Sequence, residues 1–422
     1  MHDQPQPAPP APDLFTWEFA TNPYPAYAWL RDHAPVHRTE LPSGVEAWLV
    51  TRYADARQAL ADQRLSKNPA HHDEPAHAKG KTGIPGERKA ELMTHLLNID
   101  PPDHTRLRRL VSKAFTPRRV AEFAPRVQEL TDQLIDAFLD KPEQQGTADL
   151  IHEFAFPLPI YAICDLLGVP REDQDDFRDW AGMMIRHGGG PRGGVARSVK
   201  KMRGYLAELI HRKRSDPGDD LISGLIRASD HGEHLTENEA AAMAFILLFA
   251  GFETTVNLIG NGTYALLTHP EQRARLQQSL AAGDTGLLET GVEELLRFDG
   301  PVELATWRFA TEPLRIGGQD IAAGDPVLVV LAAADRDPAR FPDPDLLDLS
   351  RTDNQHLGYG HGIHYCLGAP LARLEGQTAL ATLLRRLPDL QLAVDPEELR
   401  WRGGLIMRGL RTLPVTFTPP AR

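Results

Sequence analysis

The run His356-Leu-Gly-Tyr-Gly-His-Gly-Ile-His-Tyr-Cys366-Leu-Gly-Ala-Pro370 restricts the fold of this chain more than any other stretch. Gly358, Gly360, Gly362 and Gly368 disfavour regular structure there and keep side chains off the backbone, so the loop can lie close against a flat partner. Beyond it, Leu367, Leu371 and Leu374 recur at helical spacing, and Pro370 falls in the first turn, where a missing N–H costs little. The pattern therefore presents one cysteine, Cys366, where a helix begins. Unpaired N–H groups and the helix dipole are expected to lower the thiol pKa there and favour thiolate. A thiolate is either a nucleophile or a metal ligand.

The residues alone leave three readings open. A lone cysteine is most often a small buried hydrophobe, although the glycines and histidines around this one argue otherwise. His361, His364 and Cys366, with His356, are the ligand types of a zinc site, yet their spacing matches no finger or zincin pattern. His364 and Cys366 are also a base and a nucleophile of the kind used in acyl transfer, but side chains two apart in a tight loop rarely converge.

Tyr359-Gly-x-Gly-x-His364-x-Cys366-x-Gly368 resembles the haem-binding loop of the cytochrome P-450 monooxygenases. In that family the cysteine is the proximal ligand of haem iron, and the general rule for thiolate ligation of haem takes this family as its own example. The chain departs from the pattern once, with Tyr359 where the family usually has Phe. The extra hydroxyl is expected to alter hydrogen bonding near the sulfur and hence the iron potential.

Ala240-Ala-Ala-Met-Ala-Phe-Ile-Leu-Leu-Phe-Ala250-Gly-Phe-Glu253-Thr254-Thr reads as an apolar helix that turns polar abruptly. Its apolar part is about thirteen residues, short of the roughly 20 that span a bilayer, so a core helix is expected. Glu253 and Thr254 are expensive to bury without a task. Gly251 weakens the helix and Thr254 can bond back to a carbonyl near position 250, which together predict a locally opened helix. The segment resembles the family's oxygen-activation stretch, which implies Ala250 against the haem, Thr254 as the hydrogen-bonding group at the oxygen site and Glu253 as a proton relay. Splitting an O–O bond takes two protons delivered in a largely dry pocket, and hence a donor chain held within hydrogen-bond reach.

Glu294 and Arg297 share a helix face as a potential ion pair, which on most proteins is surface decoration. The resemblance makes them the family's Glu-x-x-Arg motif, locked to Arg351 in a structural role. Pro101-Pro102-Asp103-His104-Thr-Arg-Leu-Arg108 starts a helix with His104 and Arg108 on one face. The resemblance implies that His104, Arg108, Arg308 and His364 meet the two propionates of haem b, iron protoporphyrin IX.

A length of 422 residues alone suggests two or three domains, yet no linker divides the chain. The resemblance covers nearly all of it and implies one domain over residues 23–422, mainly α with a small β-rich subregion, the cytochrome P-450 fold. Residues 45–50, 326–331 and 410–417 read as strands, and no repeat is evident. Met1 to Pro12 carries five prolines and suits a disordered tail, drawn here over residues 1–22; it is neither signal peptide nor anchor. Of the two cysteines, Cys164 lies in an apolar stretch and reads as core, so no disulfide framework exists and a cytoplasmic location is expected.

A net charge of −12 argues against nonspecific nucleic-acid binding. Cations nevertheless gather at Arg106, Arg108, Arg109, Lys113, Arg118 and Arg119. The resemblance places an acidic redox donor on that face, which implies a ferredoxin with its reductase docking electrostatically on a monomer with no membrane partner. Two irregular segments, Ser66 to Lys89 and the glycine-rich Gly188 to Gly194, correspond in family register to flaps over the pocket, and the second suggests an entrance for a bulky substrate.

Leu92, Ile246, Ala250, Val302, Leu304 and Ile406 are the expected pocket residues, mostly apolar, which selects a hydrophobic small molecule. The wider resemblance is to actinobacterial members that insert one oxygen atom from O2 into secondary metabolites, whether polyketide, macrolide, terpenoid or peptide. A peroxide-driven haem-thiolate oxygenase is an alternative that the Glu253–Thr254 pair fits poorly. A catalytically silent haem-binding protein on the same fold is another.

Overall fold

The computed structural model describes residues 11–68, 95–141, 146–185, 194–230 and 232–419. The 32-residue helix Glu237–Thr268 is the element on which the others are assembled. Thr236 fixes its start: the Thr236 hydroxyl accepts the Glu239 N–H at 3.2 Å while Glu239 Oε2 accepts the Thr236 N–H at 2.8 Å. The helix packs against Pro157–Leu167, Gly194–Ser215, Gly286–Asp299 and Ala369–Arg386. Enclosure by neighbours explains a sequence that is apolar almost all round. Among the described residues this is the one helix long and apolar enough to cross a membrane, yet most of that surface is buried inside the protein.

A five-stranded sheet lies to one side, built from β1 (Val36–Glu40), β2 (Glu46–Val50), β3 (Leu65–Ser66), β4 (Arg308–Ala310) and β5 (Pro326–Val329) in the order β1-β2-β5-β4-β3. β5 runs parallel to β2, and the remaining pairs are antiparallel. A smaller sheet joins Gln391–Leu392, Pro414–Thr416 and Thr147–Asp149. The architecture is mainly α with a small β-rich part, and the strands read from the sequence fall on β2, β5 and Pro414–Thr416. One apolar core unites the helices around Leu107, Phe154, Leu167, Met202 and Phe252, and another underlies the sheet around Val50, Ala310, Val327 and Phe341.

Glu294 and Arg297 are fully buried. Arg297 donates to both Glu294 oxygens at 2.7 and 2.8 Å and to the carbonyls of Asp335, Pro344 and Leu346 at 2.9, 2.8 and 3.1 Å. Arg351 Nε reaches Glu294 Oε2 at 3.1 Å. Hydrogen bonds on every side offset the desolvation of these charges. The network ties helix Gly286–Asp299 to the segment that leads into the cysteine loop.

Ordered chain begins earlier than the boundary expected at residue 23. Trp17–Thr21 is a helix, capped by the Thr16 hydroxyl accepting the Phe19 N–H at 3.1 Å. Phe19 packs edge-on against Tyr27 at 5.4 Å, and the carbonyls of Ala20 and Thr21 accept from Arg408. The sequence did not reveal these contacts, since one partner, Arg408, is far away along the chain and the short segment has no clear periodicity.

Candidate functional site

Gly360 and Gly362 adopt left-handed backbone, with φ of 75° and 76°, and any Cβ on Gly362 would fall 3.1 Å from Ala61 Cα. The Cys366 N–H donates to the Tyr359 carbonyl at 2.9 Å, and helix Ala369–Arg386 starts three residues later. Cys366 is half-buried, and its sulfur accepts the N–H groups of Gly368 and Ala369. The sequence led us to expect a lowered thiol pKa, but the structure gives the reverse. Burial pushes the thiol up, and those N–H groups with Arg108 and Arg373 pull it only partly back. Spacing reveals a helix start, whereas desolvation depends on what packs around it. A coordinated metal ion deprotonates a thiol outright.

Arg373, one turn into the helix, donates to both Glu293 oxygens at 2.7 and 2.8 Å and lies over the Tyr359 ring at 4.6 Å. Burial would raise the Glu293 carboxyl, but Arg373 and His356 hold it down to about 2. The Tyr359 hydroxyl is buried without a hydrogen-bond partner. The altered hydrogen bonding at sulfur expected of this residue is therefore not made.

Asp103–Ala114 presents buried His104 and half-buried Arg108 one turn apart, as their spacing predicted. The cysteine loop brings the His364 ring to 4.4 Å from His104, and β4 supplies Arg308, 3% exposed. Lys67, which sequence reasoning missed, joins them; its Nζ donates to the carbonyls of Thr306 and Trp307 at 2.9 and 2.7 Å. Burial pulls Arg308 down to about 10, opposed by Asp100. Burial also drives His364 down to about 2, with Lys67, His104 and Arg308 adding to it. His104 Nε2 and His364 Nδ1 are buried with no protein partner.

So many cation-forming groups gathered out of water, two with orphaned nitrogens, are costly unless an anion compensates them. Two carboxylates beside the cysteine loop would do so, and these residues fit the propionates of a haem ligated through Cys366. The zinc reading fails: among the described residues no cluster of three or more His, Cys, Asp or Glu is arranged to hold a metal ion. The histidine nearest Cys366 in sequence packs on His104, which leaves the acyl-transfer pair unsupported.

On the long helix, Thr254 Oγ1 donates to the Ala250 carbonyl at 2.8 Å, the back-bond expected of it. The helix is nonetheless continuous through Gly251, so the expected local opening is not an interruption of it. Glu253 is 7% exposed, and its Oε1 lies 4.0 Å from Arg402 Nη1. Arg402 sits in a glycine-flanked arm near the C-terminus and carried no signal in the sequence.

Of the expected pocket residues, Ala250 is exposed and Val302 and Ile406 are half-buried. Val302 bridges Met407, and the Glu303 N–H donates to the Ile406 carbonyl at 2.7 Å, which sets Val302 and Ile406 on adjoining segments. Ile246 and Leu304 are instead taken up in the core, 4% and 3% exposed, Leu304 among Tyr27, Trp307 and Val330. Leu92 lies outside the described residues, as do nearly all of the two expected flaps.

The family model described as Cytochrome P450 matches residues 192–397. Cytochrome P450 monooxygenase PikC from Streptomyces venezuelae is 49% identical over 413 residues, covering 97% of this chain and 95% of that one. Vitamin D(3) 25-hydroxylase from Pseudonocardia autotrophica is 45% identical, with 96% of each chain covered. Among solved structures, the bacillaene polyketide synthase cytochrome P450 PksS of Bacillus subtilis superposes with a TM-score of 0.85 at 39% identity, covering 96% of this chain and 99% of that one.

Proposed function

The chain belongs to the cytochrome P450 family of monooxygenases, and on that premise we propose that it oxidises a bulky, mostly apolar polyketide-type metabolite, with Cys366 as the residue that would ligate haem iron through its thiolate. Haem, when bound, supplies the iron at which O2 is activated, the thiolate favouring O–O cleavage. The observation that carries the reading is the cationic cradle beside the cysteine loop. His104, Arg108, Arg308 and His364 would hold the propionates, and the N–H groups of Gly368 and Ala369 steady the sulfur.

Haem b fits better than a covalently attached haem, because the second cysteine, Cys164, is fully buried in the helical core. Thr254, anchored to the Ala250 carbonyl, is oriented to pass a proton at its hydroxyl, and Glu253 behind it resupplies that proton. Glu294, Arg297 and Arg351 keep the loop's base rigid. The open side chains of Ala250, Val302 and Ile406 present apolar surface, which suits burial of a hydrophobic ligand. Action on a polyketide is supported by the likeness to PksS, and the likeness to a vitamin D(3) 25-hydroxylase is compatible with a bulky, apolar substrate. Ferredoxin and its reductase are the electron donors of this reading, and a cytoplasmic monomer folded as one domain is its setting.

The test is the absorption spectrum of purified protein, reduced and exposed to carbon monoxide. A strongly red-shifted Soret band is expected. A haem spectrum without that shift, or no haem, would overturn the assignment of Cys366. Spin-state titration with a panel of macrolides, polyene polyketides, sterols and fatty acids then tests the substrate class, which is wrong if only fatty acids perturb the haem.

A further inference from the structure

The cationic cradle is assembled from two separate elements. His104 and Arg108 come on helix Asp103–Ala114, whereas Arg308 comes on β4. Neither element alone fixes how far apart these groups stand, so the spacing depends on what joins them. The joint is β3 together with the next residue, Lys67. β3 pairs antiparallel with β4, Leu65 opposite Ala310 and Ser66 opposite Phe309. Asp100 holds the same short stretch from the helix side. Its Oδ1 accepts the Lys67 N–H at 2.9 Å, and its Oδ2 accepts the Ser66 hydroxyl. The Asp100 carbonyl accepts the His104 N–H at 2.9 Å. One aspartate therefore ties β3 to the start of the helix that carries His104 and Arg108.

The Lys67 side chain completes the joint by reaching the segment just before β4. It is 3% exposed, and its Nζ donates to the carbonyls of Thr306 and Trp307 at 2.9 and 2.7 Å and to the Thr306 hydroxyl. The Thr306 carbonyl also accepts from Arg308 Nη1 at 3.2 Å. One oxygen thus serves both cations, so the lysine holds the carbonyl on which the guanidinium rests. Bonds donated by an ammonium are charge-assisted and about twice as strong as neutral ones. The charges at the joint also reach the cradle: Lys67 adds to the lowering of His364, and Asp100 opposes that of Arg308.

We propose that Lys67 is a positioning residue of the cradle, holding the Thr306 carbonyl, and through it the Arg308 guanidinium, at the spacing from His104 and Arg108 that the propionates of one haem need. This rests on the reading of those residues as propionate partners and extends it to the joint that sets their separation. Groups that orient a ligand's direct partners typically change its affinity by about 10–100-fold when lost. Lys67 acts through Arg308, so its loss is felt as faster release of haem and leaves ligation by Cys366 intact.

The test uses full-length, haem-loaded protein. Transfer of haem to excess apomyoglobin times its release, and the reduced carbon monoxide spectrum reports on Cys366. The variants are Lys67→Met, Arg308→Gln, the two combined, and Thr306→Val, which removes only the hydroxyl contact. Lys67→Met is expected to release haem about tenfold faster and to keep the red-shifted Soret band. Thr306→Val is expected to act in the same direction by about twofold. The combined variant is expected to fall within about twofold of the faster single one, because a position already lost cannot be lost again. Effects that multiply in the combined variant would overturn the proposal, since Lys67 would then act without Arg308. Parent-like release in Lys67→Met while Arg308→Gln is fast would overturn the role of Lys67 alone. Parent-like release in Arg308→Gln would overturn the propionate reading itself. Should Lys67→Met take up no haem, Thr306→Val alone and combined with Arg308→Gln gives the same cycle, with the same outcomes deciding.

Discussion

Glu375 is the carboxyl that the fold treats most harshly. It lies 1% exposed on the cysteine helix, with Oε2 lacking a partner and its other oxygen in reach of the Thr255 hydroxyl. Burial lifts it to about 8 despite that contact. Since the folded value exceeds that of an unfolded glutamate, about 4.3, this group's contribution to stability is complete below the unfolded value and is lost as pH rises through the folded one. Glu375→Gln keeps the shape and cannot ionise. Its stability relative to the parent is expected to improve by roughly 1.4 kcal/mol per pH unit between about 4.5 and 8, then to stay level. Denaturant unfolding at several pH values measures this; a difference that does not vary with pH would mean that Glu375 ionises in the fold as an ordinary carboxyl. The placement of Cys366 just before a helix, of His104 and Arg108 on one helix face and of the buried Glu294–Arg297 pair was legible in the sequence. Consequences of burial were not, and so the direction of the Cys366 shift and the unpartnered Tyr359 hydroxyl emerged only from the packing.

At the scale of elements, the joint between the 401–410 arm and the long helix is the most exacting. Gly409 lets the 401–410 arm settle on the long helix, and Gly409→Ala would drive a methyl into Asn257, 2.1 Å from its Oδ1. Overpacking of this kind costs about 1–3 kcal/mol, and here the arm must lift from the helix. Gly409→Ala is therefore expected to unfold at lower denaturant and to bind the panel substrate several-fold more weakly, because Ile406 moves with the arm. Full affinity with unchanged stability would show that the helix yields instead. The arm illustrates what the sequence conceals. Long periodic runs such as Glu237–Thr268 announce themselves, and apolar runs of strand length marked β2 and β5. Trp401-Arg402-Gly-Gly has no period, and its partner Glu253 lies roughly 150 positions away, so nothing local records that the two meet. The short Trp17–Thr21 helix was hidden likewise, since distant Arg408 and nearby Tyr27 hold it in place.

For the molecule as a whole, the proposed function raises the question of how a chain of net charge −12 would attract an acidic electron donor. Long-range repulsion must be overcome by a local cationic face. The fold spends several of the clustered cations elsewhere: Arg106 pairs with Glu239, Arg119 with Asp219 and Arg118 with Glu122, while Arg108 turns toward the cysteine site. Arg109 and Lys113 are also exposed on helix Asp103–Ala114, whose opposite face carries His104. On the proposed function an electron delivered there would enter beside the residues proposed to hold the propionates, and these two are the expected docking residues of the ferredoxin. Helix Gly194–Ser215 offers a control, because it exposes Lys200 and Lys201 in an equally basic setting away from the cysteine loop. Arg109→Glu with Lys113→Glu is expected to raise the KM for ferredoxin about tenfold, to flatten its dependence on salt and to leave kcat at saturating ferredoxin nearly unchanged. Charge reversal at Lys200 and Lys201 is expected to do none of these. Ferredoxin reduction indifferent to salt and to reversal at Arg109 and Lys113 would place the donor on another face, whereas equal effects of both pairs would mean that only the overall charge matters.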